Sequence, residues 1–214
     1  MNNSTMIVII DYKMGNLRSV SKALEKAGGN VKITNNVKDI QRADAIVLPG
    51  VGAFGRGMKN LKEAGLISPL IDAIKQGKPF LGICLGMQLL FTYSEEHGKH
   101  RGLNILEGCV KCFHQNLKIP HMGWNQIILN QRRGDKKKEI FYGIPDKTYF
   151  YFVHSYYVIP ENKEMIIATT NYGVQFASAV QKENIFGVQF HPEKSQTAGL
   201  KLLRNFVSFI KEGK

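Results

Sequence analysis

Cysteine is scarce in this sequence. Its 214 residues contain 3 cysteines, a small and odd number that excludes the disulfide framework of a small secreted protein. Long apolar runs are also missing, and none approaches the ~18–20 residues that cross a bilayer. The apolar run at residues 6–10 is too short for a signal peptide, and no basic residue precedes it. These absences predict a cytoplasmic protein with no membrane segment.

Acidic residues are the scarcer charge. The chain has 17 Asp and Glu against 29 Lys and Arg, which gives a net charge of +12. Such an excess suggests an acidic partner, nucleic acid or an anionic ligand. The net charge is the only feature that favours nucleic-acid binding, because no RRM, helix-turn-helix or zinc signature is present. We therefore predict no nucleic-acid partner. The densest basic cluster, residues 132–138, is expected to be a solvated loop or a patch that steers the chain toward an acidic partner.

Hydrophobic residues make up 43% of the chain, enough for a large packed core. In the first half, apolar runs and helical spacing predict strands at 6–10, 31–34, 44–48 and 79–83 and helices at 16–27, at 56–76 with a break near Ser68 and Pro69, and from Met87 to Phe91. The second half predicts short strands at 108–130, 148–159, 164–170, 174–181 and 185–190, then an amphipathic helix at 197–211. We predict one α/β domain over residues 1–214, with a mostly parallel central sheet flanked by helices and an antiparallel extension.

The segment Gly-Ile-Cys-Leu-Gly at residues 82–86 joins a predicted strand to a predicted helix. This is the pattern of a nucleophile elbow, with Cys84 as the nucleophile. A sharp strand-to-helix turn strains the nucleophile, and the flanking glycines allow the backbone to come close. The helix N-terminus favours a thiolate, and the N–H of Leu85 is predicted to point toward a developing oxyanion. A buried, inert cysteine is the alternative.

A cysteine nucleophile needs a base, and the base needs an orienting group. His191 follows the strand-like run at 185–190, so it can reach the same cleft edge as Cys84. Glu193 can turn back to the imidazole if Pro192 bends the chain. A surface histidine beside a proline turn is the alternative. Weaker candidates are the remaining histidines: His97, His100, His114, His121 and His154.

A glycine-rich loop at residues 49–55 follows the third predicted strand, where ligands of parallel sheets bind. The N–H of Val51 or Gly52 is predicted to complete the oxyanion hole. The loop also has the spacing of a dinucleotide-binding motif. However, it follows the third strand and no acidic residue ends a strand ~20 residues later, so that alternative is disfavoured.

A zinc half-site is a further alternative, formed by Cys109, Cys112, His114 and His121. The two cysteines would face opposite sides of a strand, and there is no second C-x-x-C pair. We therefore predict no metal.

These motifs together resemble the class I (triad) glutamine amidotransferases and, within that family, the glutaminase subunits of imidazole glycerol phosphate synthase. The segments that carry the resemblance are residues 11–20, 48–55, 82–91, 120–125, 152–156 and 187–193. The resemblance implies a flavodoxin-like fold and no cofactor. The chain departs from the family at Lys13, where glycine is usual, in its first five residues and in its basic middle.

The resemblance also implies roles for individual residues. It implies a Cys84–His191–Glu193 triad that hydrolyses L-glutamine to glutamate and ammonia through a thioester. Residues implied to hold the substrate are Gln88 and Glu96, with backbone groups of Gly52, Ser155 and Tyr156. The implied partner is a (β/α)8-barrel cyclase of histidine biosynthesis, which receives the ammonia through a tunnel. The glutaminase would be nearly idle until that partner and its ligand rearrange the oxyanion loop.

Lys13, Asn16 and Arg18 follow the first strand, at the sheet edge that carries the predicted site, so we expect them near the partner. Ordinary solvated side chains are the alternative. Two other functions stay open from the sequence. One is a paralogous glutaminase that supplies ammonia to a different acceptor, such as a surface sugar. The other is a different cysteine hydrolase on the same scaffold, such as a peptidase.

Overall fold

The structure is a computed structural model that describes residues 5–113, 117–130 and 140–213. The basic cluster at 132–138, four of the first five residues (1–4) and His114 lie outside the described residues. Within these ranges the strands are β1 (Met6–Ile10), β2 (Asn30–Thr34), β3 (Ala45–Gly50), β4 (Phe80–Cys84), β5 (Phe91–Ser94), β6 (His100–Arg101), β7 (Leu106–Cys112), β8 (His121–Gln126), β9 (Ile128–Leu129), β10 (Tyr149–His154), β11 (Tyr156–Pro160), β12 (Ile166–Asn171), β13 (Gln175–Lys182) and β14 (Ile185–Val188).

The central sheet of the described chain has the order β2-β1-β3-β4-β14-β13-β12-β9. The first five of these strands are parallel, and β13, β12 and β9 continue the sheet in antiparallel fashion. The predicted α/β fold with a mostly parallel sheet and an antiparallel extension is therefore confirmed. Two smaller sheets, β11-β7-β5-β6 and β10-β8, accompany it and were not predicted.

Helices cover both faces of the central sheet. Their bounds are α1 (Leu17–Lys26), α2 (Val37–Arg42), α3 (Phe54–Glu63), α4 (Ile67–Lys75), α5 (Leu85–Gln88) and α6 (Gln196–Glu212). In β1, Ile7 and Ile9 pack in one apolar cluster with residues of α1 and α6, whereas Val8 and Ile10 pack in another with residues of α2, α3 and α4. Burial on both faces explains why β1, β3, β4 and β14 are mostly apolar runs, whereas the parallel edge strand β2 is largely exposed and carries polar residues.

Two predicted helices differ from the observed ones. The break in the 56–76 segment lies at residues 64–66, and Pro69 sits in the first turn of α4, where a missing N–H costs no helical hydrogen bond. The helix predicted from Met87 to Phe91 is wrong. Helix α5 is a single turn that ends at Gln88, and Phe91 already belongs to β5, which pairs with β7.

No helix in the described ranges is long and apolar enough to span a membrane.

Candidate active site

Cys84 is the last residue of β4 and adopts φ 54° and ψ −111° immediately before α5. A positive φ is uncommon for a residue with a side chain and stores strain that the surroundings must hold. A Cβ atom on Gly86 would overlap the carbonyl oxygen of Leu48, and one on Gly82 would lie 2.8 Å from that of Gly86. Glycine is therefore required on both sides of the cysteine, and the predicted elbow is present. Helix α5 has a single turn, so it has little macrodipole. The N–H groups at its start, which have no partner within the helix, are what favours a negative charge on the Cys84 sulfur.

The sulfur of Cys84 lies between two polar groups. Its S–H donates to the carbonyl oxygen of Val153 at 3.8 Å, and the Nε2 atom of Gln189 donates to the sulfur at 3.6 Å. Only 5% of Cys84 is exposed. A thiolate here would therefore be held by protein donors rather than by bulk water.

His191 and Glu193 form a buried pair. Pro192 begins a short 3-10 turn after His191, and the turn brings the Oε1 atom of Glu193 to 2.8 Å from Nδ1 of the imidazole. The carboxylate accepts, so Nδ1 carries the proton and Nε2 is left for the sulfur side. Among the described residues, Nε2 has no hydrogen-bond partner. This is the geometry of a base with its orienting group.

The pKa of His191 reflects opposing causes. Burial alone would lower this pKa, but the neighbouring Cys84 sulfur, chiefly through its charge, and the Glu193 carboxylate raise it to about 10. The imidazole therefore holds its proton firmly when the sulfur is negative. Parallel pairing of β14 with β4, with Val188 opposite Ile83, explains why residues so distant in sequence meet here. The strand ends at Val188, three residues before the histidine, and not at 190 as predicted.

A cavity of about 510 Å³ opens in front of the sulfur. Its walls include the nucleophile Cys84 and all the residues predicted for the oxyanion hole and the substrate: Val51, Gly52, Leu85, Gln88, Glu96, Ser155 and Tyr156. His191 and Glu193 do not line it. The further lining residues, which sequence reasoning did not assign, are Ala53, Pro120, Val153, His154 and Lys194.

The glycine-rich loop at residues 49–55, which is the predicted oxyanion loop, is tied to the cavity wall by Glu96. Its Oε2 atom accepts a hydrogen bond from the N–H of Phe54, the first residue of α3. Ala53, which precedes the helix, provides no side-chain cap. Glu96 therefore caps the helix from a distant part of the chain, which also brings its negative charge to the cavity. Gly52 has φ +100°, so glycine suits that turn.

Gln88 is buried beside the sulfur and uses its amide hydrogens inside the protein. Its Nε2 atom donates to the carbonyl oxygen of Tyr156 at 2.9 Å and to Oε1 of Gln189 at 3.0 Å. Only the Oε1 atom of Gln88 is left to accept from a ligand. This shared hydrogen bonding makes Gln88, Gln189 and Cys84 one connected unit.

Two histidines form a second buried network at the wall of the cavity, which His154 lines. The Nδ1 atom of His154 is 2.8 Å from the carbonyl oxygen of Tyr156 and must donate to it. Its Nε2 atom therefore accepts from Nδ1 of His121 at 2.9 Å, and Nε2 of His121 accepts from Asn125 at 3.1 Å. The second amide hydrogen of Asn125 goes to the carbonyl oxygen of Asn171. One arrangement of protons satisfies every member, and both rings are neutral in it.

Burial lowers the pKa of His154 to about 3 and that of His121 to about 4. A proton on either ring would place two N–H groups face to face. His121 is thus engaged by nitrogen and aromatic neighbours rather than by the two cysteines. Cys109 is half-buried and Cys112 exposed, and the described ranges contain no group of three or more residues that could hold a metal ion.

Lys13 and Asn16 are exposed in the segment between β1 and α1, Arg18 is exposed in the first turn of α1, and none of the three lines the cavity. Asn16 caps α1 by accepting from the N–H of Ser19 at 3.2 Å. Their segment nevertheless touches the oxyanion loop, because a Cβ atom on Gly52 would lie 3.2 Å from Cε of Met14.

Sequence reasoning missed Gln189 and ranked His154 low. Gln189 lies two residues before His191, and that spacing in an extended segment places two side chains on the same side. This spacing was a usable signal. His154 has no comparable signal in the sequence, because its hydrogen-bond partner His121 is 33 positions away.

This chain is similar to known proteins both in sequence and in fold. The profile of the family described as "Glutamine amidotransferase class-I" matches residues 8–209. The protein named "Imidazole glycerol phosphate synthase subunit HisH" of Aquifex aeolicus is 53% identical over 93% of this chain and 94% of its own. The protein of the same name from Moorella thermoacetica is 49% identical over 96% and 95%. Among solved structures, PurLQS from Thermotoga maritima is similar in fold, with a TM-score of 0.74 at 18% identity over 99% of this chain and 100% of its own.

Proposed function

The chain belongs to the class-I glutamine amidotransferase family, and we propose that it works as the glutamine amidotransferase subunit of imidazole glycerol phosphate synthase in histidine biosynthesis. The observation that carries the reaction is the strained Cys84 at a cavity, with the buried His191–Glu193 pair behind it. The relatives at about half identity over nearly their whole length carry the subunit's name. They favour this pathway over a paralogous amidation pathway and over another cysteine hydrolase.

In the proposed mechanism, the Cys84 thiolate attacks the side-chain amide carbon of glutamine. The N–H of Leu85, with that of Val51 or Gly52, stabilises the oxyanion, a contribution of ~3–4 kcal/mol per donor in other hydrolases. The protonated His191 then gives its proton to the leaving ammonia, and Glu193 keeps the ring oriented. Water activated by His191 cleaves the γ-glutamyl thioester and releases glutamate.

We place the amino-acid end of glutamine against Glu96 and Gln88, and against backbone groups of Gly52, Ser155 and Tyr156. All five line the cavity. The Glu96 carboxylate complements an α-ammonium group, and the free Oε1 atom of Gln88 can accept one of its hydrogens. Backbone N–H groups suit the α-carboxylate.

The relatives are named as a subunit, which implies a second chain. We propose that this partner is a (β/α)8-barrel cyclase and that ammonia passes to it as neutral NH3 along a route closed to water. We place its contact near Lys13, Asn16 and Arg18, because their segment touches the oxyanion loop. Charge reversal at Arg18 that leaves the affinity for the cyclase unchanged would exclude this face. We place the protein in the reducing cytoplasm, which its three free thiols support.

The decisive variant is Cys84→Ala in complex with the cyclase. It should lose glutamate production from glutamine by at least ~10³-fold, because the nucleophile is gone. Synthesis of imidazole glycerol phosphate from added ammonia should survive. Cys109→Ala is the matched control and should keep both activities. Residual glutaminase activity in Cys84→Ala would reject the nucleophile assignment.

The pathway has a separate test. The chain should restore growth without histidine to a bacterium that lacks its own glutaminase subunit, when the cyclase of the same source is co-expressed. Growth that still requires histidine, with an active glutaminase in the extract, would favour the paralogous pathway.

A further inference from the structure

We infer that Gln189 is a further catalytic residue, whose side-chain amide donates a hydrogen bond to the Cys84 sulfur and stabilises it as the thiolate. The inference deepens the proposed function and rests on Cys84 being its nucleophile. Gln189 is fully buried, and its Nε2 atom is 3.6 Å from the sulfur. It therefore touches the reacting atom directly.

The orientation of the Gln189 amide is fixed by its neighbours. The carbonyl oxygen of Tyr156 can only accept, so the Gln88 atom that contacts it must be the nitrogen. That same nitrogen contacts Gln189 at 3.0 Å, and the Gln189 atom there must be an oxygen. The NH2 end of Gln189 is consequently the end that faces the sulfur.

The backbone holds Gln189 in place. Its N–H donates to the carbonyl oxygen of Ser178 at 2.9 Å, just beyond β14. His191 follows two residues later and has its own anchor on the carbonyl oxygen of Tyr151. One short segment thus brings a neutral N–H donor and an imidazolium to the same sulfur.

The electrostatics of the sulfur explain why such a donor is needed. The carbonyl oxygen of Val153 accepts from the thiol S–H, but its dipole opposes a negative sulfur. Little water reaches Cys84 to offset this, since 5% of the residue is exposed. An N–H donor to a buried anion is stronger than one between neutral groups. Gln189 therefore supports the charged form together with His191 and the first N–H groups of α5.

The experiment measures how fast iodoacetamide alkylates Cys84 as a function of pH, with mass spectrometry to separate this peptide from those of Cys109 and Cys112. Gln189→Met keeps the volume and removes the donor, so the midpoint pH should rise by about one unit and the rate at neutral pH fall about tenfold. Gln189→Glu turns an oxygen toward the sulfur and should raise the midpoint further. Ser178→Ala, a buried neighbour whose hydroxyl has no partner in the described chain, should leave the midpoint unchanged.

Glutamine turnover by the complex with the cyclase adds a second readout. Gln189→Glu keeps an oxygen for Gln88, so kcat should fall with KM nearly unchanged, whereas Gln189→Met should also raise KM. A purely structural role would lower the melting temperature of both variants without moving the alkylation midpoint. An unmoved midpoint in folded variants, or a larger rise for Met than for Glu, would overturn the inference.

Should a variant fail to fold, the wild-type protein still decides. The side-chain amide signal of Gln189 in an NMR spectrum should shift with the ionisation of Cys84 and lose that response after alkylation, and a pH-independent signal would reject the contact. Neither alkylation nor NMR requires glutamine hydrolysis. If the proposed function is wrong, the wild-type complex releases no glutamate, but the changes in the alkylation midpoint and in the NMR signal are still observed.

Discussion

Lowering the pH from 7 to 5 should weaken the fold through the His121–His154 network. Both rings are neutral in the folded protein, where burial holds their pKa values at about 4 and about 3, but both take up a proton near pH 6.5 once unfolded. The unfolded chain therefore binds more protons as the pH falls, and stability falls with it. The loss of stability reaches its full size only as the pH approaches the pKa values of the two rings in the folded protein, about 4 and about 3.

The magnitude follows from linkage. At pH 5 each unfolded imidazole, with its pKa near 6.5, gains about 2 kcal/mol relative to pH 7, so the pair costs about 4 kcal/mol. His191 gives no return on acidification, because its pKa is raised chiefly by the negative charge of Cys84, which exists only when the sulfur has lost its own proton. The loss of about 4 kcal/mol from the two rings is a large part of the ~5–15 kcal/mol typical of a folded domain.

Urea unfolding followed by circular dichroism at pH 7, 6 and 5 measures this loss. The window lies above the ordinary pKa of carboxylates, so these contribute little. Stability that is constant or increases between pH 7 and 5 would refute the reasoning. So would an imidazole of this pair that titrates near pH 6.5 by NMR in the folded protein.

Two further predictions concern the elbow and its surroundings. Gly86→Ala should prevent native folding or lower stability by more than ~4 kcal/mol, because the new methyl group meets the Leu48 backbone; thermal melting checks this, and Gly213→Ala, where the methyl group would lie 3.7 Å from its nearest neighbour, should be nearly neutral. Tyr12→Phe should raise stability by ~1–3 kcal/mol in urea unfolding, because the buried Tyr12 hydroxyl has no partner within the described ranges. A loss of stability would mean that this hydroxyl is hydrogen-bonded.

The central strands could be predicted because each is a short apolar run buried on both faces, as in β1. The elbow could be predicted because its glycines, cysteine and flanking elements are contiguous. The α5–β5 region could not, because Leu89, Leu90 and Phe91 are all fully buried. A uniformly apolar run has no period that separates a helix from a strand.

The candidate site likewise has contacts that could be predicted from the sequence and contacts that could not. His191 and Glu193 are two positions apart, so a local turn suffices to join them. The contact between Gln189 and Cys84 spans 105 positions and depends on the pairing of β14 with β4. The neutral state of His154 depends on burial and on His121, neither of which is visible in its own neighbourhood. Sequence patterns report local geometry, and these contacts are tertiary.

The place of β14 in the sheet has a consequence for how the protein is made. This strand lies between β4 and β13, although β4 leaves the ribosome about a hundred residues earlier. Until β14 arrives, β4 is an open apolar edge that can pair with other chains. Contacts of such sequence separation form slowly and leave a nascent chain open to aggregation. The same delay keeps the thiol apart from its base during synthesis, so a half-made chain carries a cysteine but no working nucleophile.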